Sequence, residues 1–169
     1  MKKIFCILLF LNFSLFKVLA VEPDVFVQST VNRASEILTK NISQDEKINK
    51  LKVIAKETVD IKGVGFYSLG SARKNLNDEQ KIQYFKLFED YFLKSFSSWL
   101  SEYTNPEIDV LSKKVLSENY TIVNSVLRGT TERPEIKIDW RIYTKNKDNP
   151  LIRDLSLIHI WRCRRRVAC

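Results

Sequence analysis

The sequence predicts an α+β domain in which N-terminal helices cover one face of an antiparallel sheet. Three observations favour this class. Apolar residues recur at helical spacing as far as about residue 103. Beyond Pro106 the spacing changes, and residues 136–143 alternate between apolar and polar side chains, as in a half-buried strand. Helices that come before all the strands are typical of α+β domains.

The first twenty residues, MKKIFCILLFLNFSLFKVLA, have the pattern of a secretory signal peptide. Two lysines precede an apolar run over residues 4–16, and Val18 and Ala20 are the small residues that a signal peptidase requires before its cleavage point. The run is too short to span a bilayer comfortably, and Lys17 closes it. The sequence therefore predicts cleavage after Ala20 and export of residues 21 onward.

Two helices are expected in the first part of the exported chain. Residues 24–40 place Val27, Val31, Ala34 and Leu38 on one stripe, as in an amphipathic helix. Ser43 and Glu46 form a capping-box pattern, in which each side chain accepts from the backbone amide of the other residue. This pattern predicts the start of a second helix.

A third helix begins in the same way at Asn77 and extends to about Tyr103. It is unusually aromatic. Its apolar positions follow three- and four-residue spacing, which predicts one buried stripe; they are Phe85, Phe88, Phe92, Phe96 and Trp99.

Strands are expected over residues 107–116, 119–128 and 136–143, although the first two ranges alternate less cleanly. The third of these has the clearest alternation, with Ile136, Ile138, Trp140 and Ile142 on one face. Residues 128–134 read as the loop between two antiparallel strands.

Composition excludes several classes of function. The chain has 28 Lys+Arg and 20 Asp+Glu, but three lysines lie in the first 20 residues and four arginines in residues 155–169. Residues 21–154 keep 21 bases and 20 acids, so the folded domain has no basic surplus for a nucleic acid. The same residues contain no Cys and no His, which excludes disulfides, zinc sites and Cys–His or histidine catalysis within them.

The order of motifs resembles the MlaC family of periplasmic phospholipid carriers, also called toluene-tolerance auxiliary proteins. The family has a helix that ends in a Val-Asp pair, a segment that closes in Leu-Gly, a polar turn with a Gln-basic pair, and a long aromatic helix. The matching residues here are Val59-Asp60, Leu69-Gly70, Gln80-Lys81 and the aromatic stripe from Phe85. The resemblance covers about residues 23–154, and Leu151-Ile152-Arg153-Asp154 departs from the family's pattern, which has a Trp there.

The resemblance implies a periplasmic carrier of phospholipid with no cofactor. Its implied partners are an inner-membrane ABC transporter complex, with a membrane-anchored lipid-binding subunit, and an outer-membrane lipoprotein complex. Such a role maintains the lipid asymmetry of the outer membrane.

A carrier of this kind needs an apolar slot. Two acyl chains of about fifteen methylenes each, at about 0.8 kcal/mol per methylene, expose on the order of 20 kcal/mol of apolar surface to water. A helix layer above a sheet can leave such a slot between the two layers. The apolar segment GVGFYSLG, residues 63–70, is loosened by its glycines and is expected to form a flexible wall of the slot. We expect ten residues to form its wall, and they are Val64, Phe66, Leu69, Phe85, Phe88, Phe92, Phe96, Ile138, Trp140 and Ile142.

Three alternatives remain open at this point. In the first, the ligand is another hydrophobic molecule, such as a hopanoid or a quinone-like lipid. In the second, the domain is a non-catalytic periplasmic adaptor. The third alternative is an enzyme that uses a carboxylate pair as acid and base, drawn from Asp60, Glu79, Glu89 and Asp90. Those acids fit helix caps and solvated helix faces better, so we expect no enzymatic activity.

The last fifteen residues, LSLIHIWRCRRRVAC, have a separate explanation. Their codons can be written, in a single frame, as a sequence that resembles the transposase-end adapter of sequencing libraries, with a TGA codon at Trp161. We therefore expect residues 155–169 to be non-native and the domain to be incomplete after Asp154. On this reading His159, Cys163 and Cys169 have no function, and the basic half of the segment lies in solvent.

An independent assembly of the source gene tests this expectation. We predict that its reading frame continues past Asp154 as a strand and a helix of the Glu-Gly-Val-Ser type found in the family. A second occurrence of the fifteen residues followed by a stop codon would contradict it, and Cys163 and Cys169 would then be candidates for a disulfide in an exported protein.

Overall fold

A computed structural model of the chain describes residues 21–131 and 134–159. The helices are α1 (Pro23–Thr39), α2 (Gln44–Thr58), α3 (Ile61–Ser68), a 3-10 helix (Gly70–Lys74) and α4 (Asp78–Ser101). The strands are β1 (Ile108–Ser117), β2 (Tyr120–Leu127), β3 (Ile136–Tyr143) and β4 (Leu151–His159). The predicted α+β class, with helices first and an antiparallel sheet second, is confirmed. The predicted signal peptide lies outside the described residues.

The predicted helix starts are present, with one difference in detail. Asn77 and Gln80 form a complete capping box, with hydrogen bonds of 2.8 and 3.0 Å. At α2, Ser43 accepts from the Glu46 amide at 3.2 Å, but the Glu46 carboxylate forms an ion pair with Lys50 and does not complete the box.

The aromatic helix α4 ends at Ser101, two residues before the predicted end. Asn105 has a positive φ of 53°, and it precedes Pro106, which disfavours helical backbone at the residue before it. The chain therefore leaves the helix and turns toward β1.

Residues 61–68, expected as a loosened apolar wall, form the regular helix α3. Asp60 caps this helix by accepting from the Gly63 amide at 2.9 Å. Gly65 is buried and faces α4, where a methyl group in its place would lie 2.8 Å from Phe88 Cδ1. The glycines of this segment therefore permit close helix packing.

The sheet has the order β1-β2-β3-β4, and every neighbouring pair is antiparallel. In the register, Val123 lies opposite Trp140, and Ile142 lies opposite Ile152. The alternate residues of β3 are buried, as predicted, so that one face of the sheet is apolar and packs toward the helices. Among the described residues, no helix has the length and apolarity needed to cross a membrane.

Two hydrophobic clusters divide the core. One joins α1 to the sheet through Val27 and Val31, which pack near Val123 and Ile142. The other lies within the helix layer and includes Ala55, Ile61 and Leu93, with Phe88, Phe92 and Phe96 packed against it. Helices α1 and α3 contact the sheet most closely, whereas α2 packs mainly against α4. The α2–α4 pair consequently stands off the sheet.

Strand β4 runs past Asp154, the residue after which the sequence is expected to be non-native. Residues 155–159 continue its pairing with β3, and Leu155, opposite Trp140, is partly buried against the core. This pairing places the first part of the segment at the edge of the sheet, and the non-native origin of residues 155–169 stays a prediction. Residues 160–169, with the basic half of the segment, lie outside the described residues.

Gly65→Ala tests the close contact between α3 and α4. An added methyl group that meets the Phe88 ring should lower the free energy of unfolding by about 1–2 kcal/mol, even though Ala favours helix more than Gly does. Urea denaturation of both proteins measures the change.

The matched control places Gly65→Ala in a Phe88→Leu background, where the ring is absent and the cost should shrink. An equal or greater stability of Gly65→Ala in the wild-type background would show that this contact does not limit the approach of the helices.

Candidate ligand-binding site

An apolar cavity of about 110 Å³ lies between the helix layer and the sheet. Helix α1 contributes Val31, Ala34 and Leu38, and α2 contributes Leu51, Ile54 and Ala55. The remaining lining comes from α4 and from the inner face of the sheet; it includes Phe96, Trp99, Leu100, Ile108, Leu127, Ile138, Trp140, Ile152 and Leu155. The cavity occupies the gap that the α2–α4 pair leaves above the sheet.

The few polar side chains around the cavity direct their hydroxyl groups to backbone carbonyls. Thr30 donates to Phe26 O at 2.8 Å, Ser35 to Pro106 O at 3.1 Å and Thr58 to Ile54 O at 2.7 Å. With these hydroxyls bonded to backbone, the surface that remains is suited to a hydrocarbon ligand.

The size of the cavity limits what it holds without rearrangement. Pockets for drug-sized ligands measure about 300–1,000 Å³, so a cavity of 110 Å³ has room for only part of such a molecule. A larger apolar ligand requires the α2–α4 pair to move away from the sheet.

A second depression, which we call the cationic cleft, lies outside the cavity and measures about 820 Å³. Its basic residues are Lys62, Arg73, Arg141 and Arg153. Apolar side chains share the same surface, and they include Val64, Phe66, Phe85 and Leu116. The cleft is therefore amphipathic, unlike the cavity.

One pair of backbone segments separates the cavity from the cleft, and we call this pair the dividing wall. Val59 and Ile152 line the cavity and form an isolated parallel bridge. The residues that follow them, Asp60 and Arg153, line the cleft. The Asp60 amide donates to Ile152 O at 2.9 Å, so α3 and β4 are joined at this wall.

Arg153 is the centre of the dividing wall. Its guanidinium donates to the Asp60 carboxylate through Nε and Nη2 and to the Tyr120 hydroxyl through Nη1, and it lies over the Tyr143 ring at 3.9 Å. Burial lowers the pKa of Arg153, but the hydrogen bonds with Asp60 and Tyr120 raise it more, so the net shift is upward. The side chain is therefore a permanent cation.

Gly63 makes this arrangement possible. A methyl group in its place would lie 2.2 Å from Asp60 Oδ2 and 3.0 Å from Arg153 Nε. The ion pair thus packs directly on the backbone of α3.

The structure divides nine of the ten predicted wall residues among three environments and leaves Leu69 outside them. Phe96, Ile138 and Trp140 line the cavity, and Val64, Phe66 and Phe85 line the cleft. Phe88, Phe92 and Ile142 are core residues; the rings of Phe88 and Phe92 stack at 6.1 Å, and Ile142 is fully buried. Leu69 is half-buried at the end of α3. Lipid contact by these ten residues stays a prediction.

Sequence reasoning missed α1 and the Arg153 network as parts of the site. The stripe on α1 was visible, but a stripe alone does not distinguish core from cavity. Val59-Asp60 was recognised as a motif, whereas its partner Arg153, 93 residues away, gave no local signal.

Two of the four candidate catalytic acids have structural partners. Asp60 caps α3 and binds Arg153, and Glu89 lies 3.1 Å from Lys56. Across the described ranges, no group of three or more His, Cys, Asp or Glu side chains is placed to hold a metal ion.

The contribution of the dividing wall to stability is testable with Asp60→Asn, which keeps a good capping residue but removes the charge. The partly buried Arg153 then loses its counter-ion, and the free energy of unfolding should fall by about 1–3 kcal/mol in urea denaturation.

Asp109→Asn is the matched control, because it breaks the exposed pair with Arg128, which should contribute at most about 1 kcal/mol. An Asp60→Asn protein no less stable than Asp109→Asn would rule out a structural role for the Asp60–Arg153 pair.

Known proteins share features of this sequence and this architecture. The family model described as "MlaC protein" matches residues 28–164. A solved structure from Ralstonia solanacearum, a phospholipid-binding protein in complex with a phospholipid, superposes with a TM-score of 0.66 at 12% identity. The superposition covers 81% of this chain and 78% of that one. The comparison with curated proteins gave no match. Since the family model spans most of the sequence, the chain belongs to the MlaC family.

Proposed function

We propose that this protein is a periplasmic phospholipid carrier that encloses the acyl tails between its helix layer and its sheet. The observation that carries the proposal is the apolar cavity, which lies between the two layers and next to an amphipathic cleft. Membership of the MlaC family and the phospholipid-bound Ralstonia protein of similar fold support the same ligand class.

Enclosure is the physical requirement that such a carrier meets. The tails of a diacyl lipid carry on the order of 20 kcal/mol of hydrophobic free energy, so a lipid does not cross water unprotected at a useful rate. Tails between the two layers would contact the inner sheet face and the α2–α4 pair. The headgroup would remain at the surface.

Loading requires the cavity to widen. The contacts of α1 and α3 with the sheet lie on either side of the gap, and the α2–α4 pair is joined to the sheet mainly through them. Movement of this pair away from the sheet exposes Leu51, Trp140 and other buried lining residues to the incoming tails. No covalent step is needed, because the lipid is bound and released unchanged.

The carrier's proposed route runs between an outer-membrane lipoprotein complex and an inner-membrane ABC transporter with its membrane-anchored lipid-binding subunit. These partners rest on the family resemblance. The near-neutral charge of residues 21–154, with 21 bases and 20 acids, is compatible with repeated binding and release at two different complexes.

Lipid extraction of the purified protein tests the proposal. Mass spectrometry of the extract should detect near-stoichiometric diacyl phospholipid. Ala34→Phe places a ring in the cavity, and we expect it to weaken lipid binding at least about tenfold, equivalent to the loss of about two buried methylenes.

Ala72→Phe, on the exposed 3-10 helix outside the lining, is the control and should bind lipid like the wild type. A protein without bound lipid that takes up none from vesicles contradicts the carrier function. A different hydrophobic molecule in the extract identifies a carrier of another lipid class. Normal phospholipid content in a folded Ala34→Phe protein would place the tails elsewhere.

A further inference from the structure

We propose that the cationic cleft is the binding site for the phosphodiester group of the lipid, with Arg73 and Arg141 as its principal ligands. This inference rests on the proposed function, because the lipid's tails would lie in the adjoining cavity.

The cleft has more positive charge than its own carboxylates neutralise. Four basic side chains line it, against Asp60 and Asp154. Asp60 is already bound to Arg153 and to the Gly63 amide. Arg141 lies 3.9 Å from Asp154, too far for a hydrogen bond, and both side chains are about half exposed.

The other two cations are unpaired. Within the described part of the chain, Lys62 and Arg73 have no carboxylate at ion-pair distance. A cleft lined by unpaired cations attracts an anion, and guanidinium groups suit the paired oxygens of a phosphate.

Two of the arginines lie beside aromatic rings. Arg73 lies 4.9 Å from the centre of the Phe66 ring, and Arg153 lies 3.9 Å from that of Tyr143. The hydrogen bonds of Arg153 use three of its five N–H donors. A cation beside an aromatic ring is stabilised there, and Arg153 keeps two N–H donors outside these hydrogen bonds.

The cleft also has the right neighbours for a lipid. Val64, Phe85 and Leu116 give it an apolar side, on which the glycerol and the first methylenes can rest. The step from cleft to cavity is one residue on each segment of the wall, from Asp60 to Val59 and from Arg153 to Ile152. One amphipathic molecule can therefore span both.

The opposite end of the cavity is less suitable. Tyr103, Pro106 and Leu127 line both the cavity and a depression of about 300 Å³ at that end. Its described cation, Arg128, is paired with Asp109 at 2.6 Å and Glu107 at 2.9 Å. A phosphate there would have to displace two carboxylates, so charge favours the cationic cleft.

A pair of ligands that differ only in the phosphate tests the assignment. Isothermal titration calorimetry on the full exported chain, after its bound lipid is removed, compares dioctanoylphosphatidylglycerol with dioctanoylglycerol. We expect the wild type to prefer the phospholipid by roughly tenfold to a hundredfold, the range for charge-assisted hydrogen bonds. Arg73→Gln/Arg141→Gln should lose most of this preference while it binds dioctanoylglycerol as the wild type does.

Lys94→Gln/Lys137→Gln is the control, because it removes the same charge from exposed residues that do not line the cleft. It should keep the preference. Each cleft substitution is also measured alone, so that a folding defect in the double variant does not hide the effect. Arg153 is left intact because it joins β4 to α3.

The possible failures are distinguishable. Equal affinity of the wild type for the two ligands overturns the phosphodiester site but leaves the carrier function standing, whereas binding of neither ligand overturns the carrier function. An unchanged preference in the double variant also overturns the assignment. Tight binding of inorganic phosphate alone, without a preference for the phospholipid, would show a site for free phosphate instead.

Discussion

The structure depends on how the helix layer is attached to the apolar face of the sheet. Helix α1 packs directly on β1 and β2 through Val27 and Val31, and the start of α3 is joined to β4 by the Val59–Ile152 bridge. Between these attachments the α2–α4 pair covers the sheet without filling the space below it. Unfilled apolar volume reduces stability, so a gap kept at this place is consistent with a layer that accepts a ligand.

The second attachment, between α3 and β4, combines backbone hydrogen bonding with an ion pair. Asp60 follows α2, caps α3 and binds Arg153 of β4. Gly63 lets the pair lie against the helix backbone, and Tyr120 and Tyr143 cover the guanidinium from the sheet. A partly buried pair of this kind gives a defined position more than a large stability. It fixes the border between an apolar interior and a charged surface.

Much of the fold could be predicted because it follows from local patterns. Capping residues at Ser43 and Asn77 located two helix starts, and the alternation in residues 136–143 identified both a strand and its buried face. The helix α3 was missed since its two glycines suggested a loosened segment, whereas in three dimensions Gly65 serves the contact with Phe88. The site was harder to predict. A stripe of Phe residues does not reveal that Phe88 and Phe92 pack within the helix layer while Phe96 faces the cavity, and no spacing rule connects Asp60 to Arg153.

The central claim is that acyl tails lie between the helix layer and the sheet, and photo-crosslinking measures this directly. A phospholipid with a diazirine near the end of one acyl chain is loaded, irradiated and mapped by peptide mass spectrometry. The account predicts adducts on residues 30–38 of α1 and 51–58 of α2, which line the cavity. Adducts confined to the exposed side of α4, at Leu87 and Tyr91, with both cavity segments unlabelled, would contradict it.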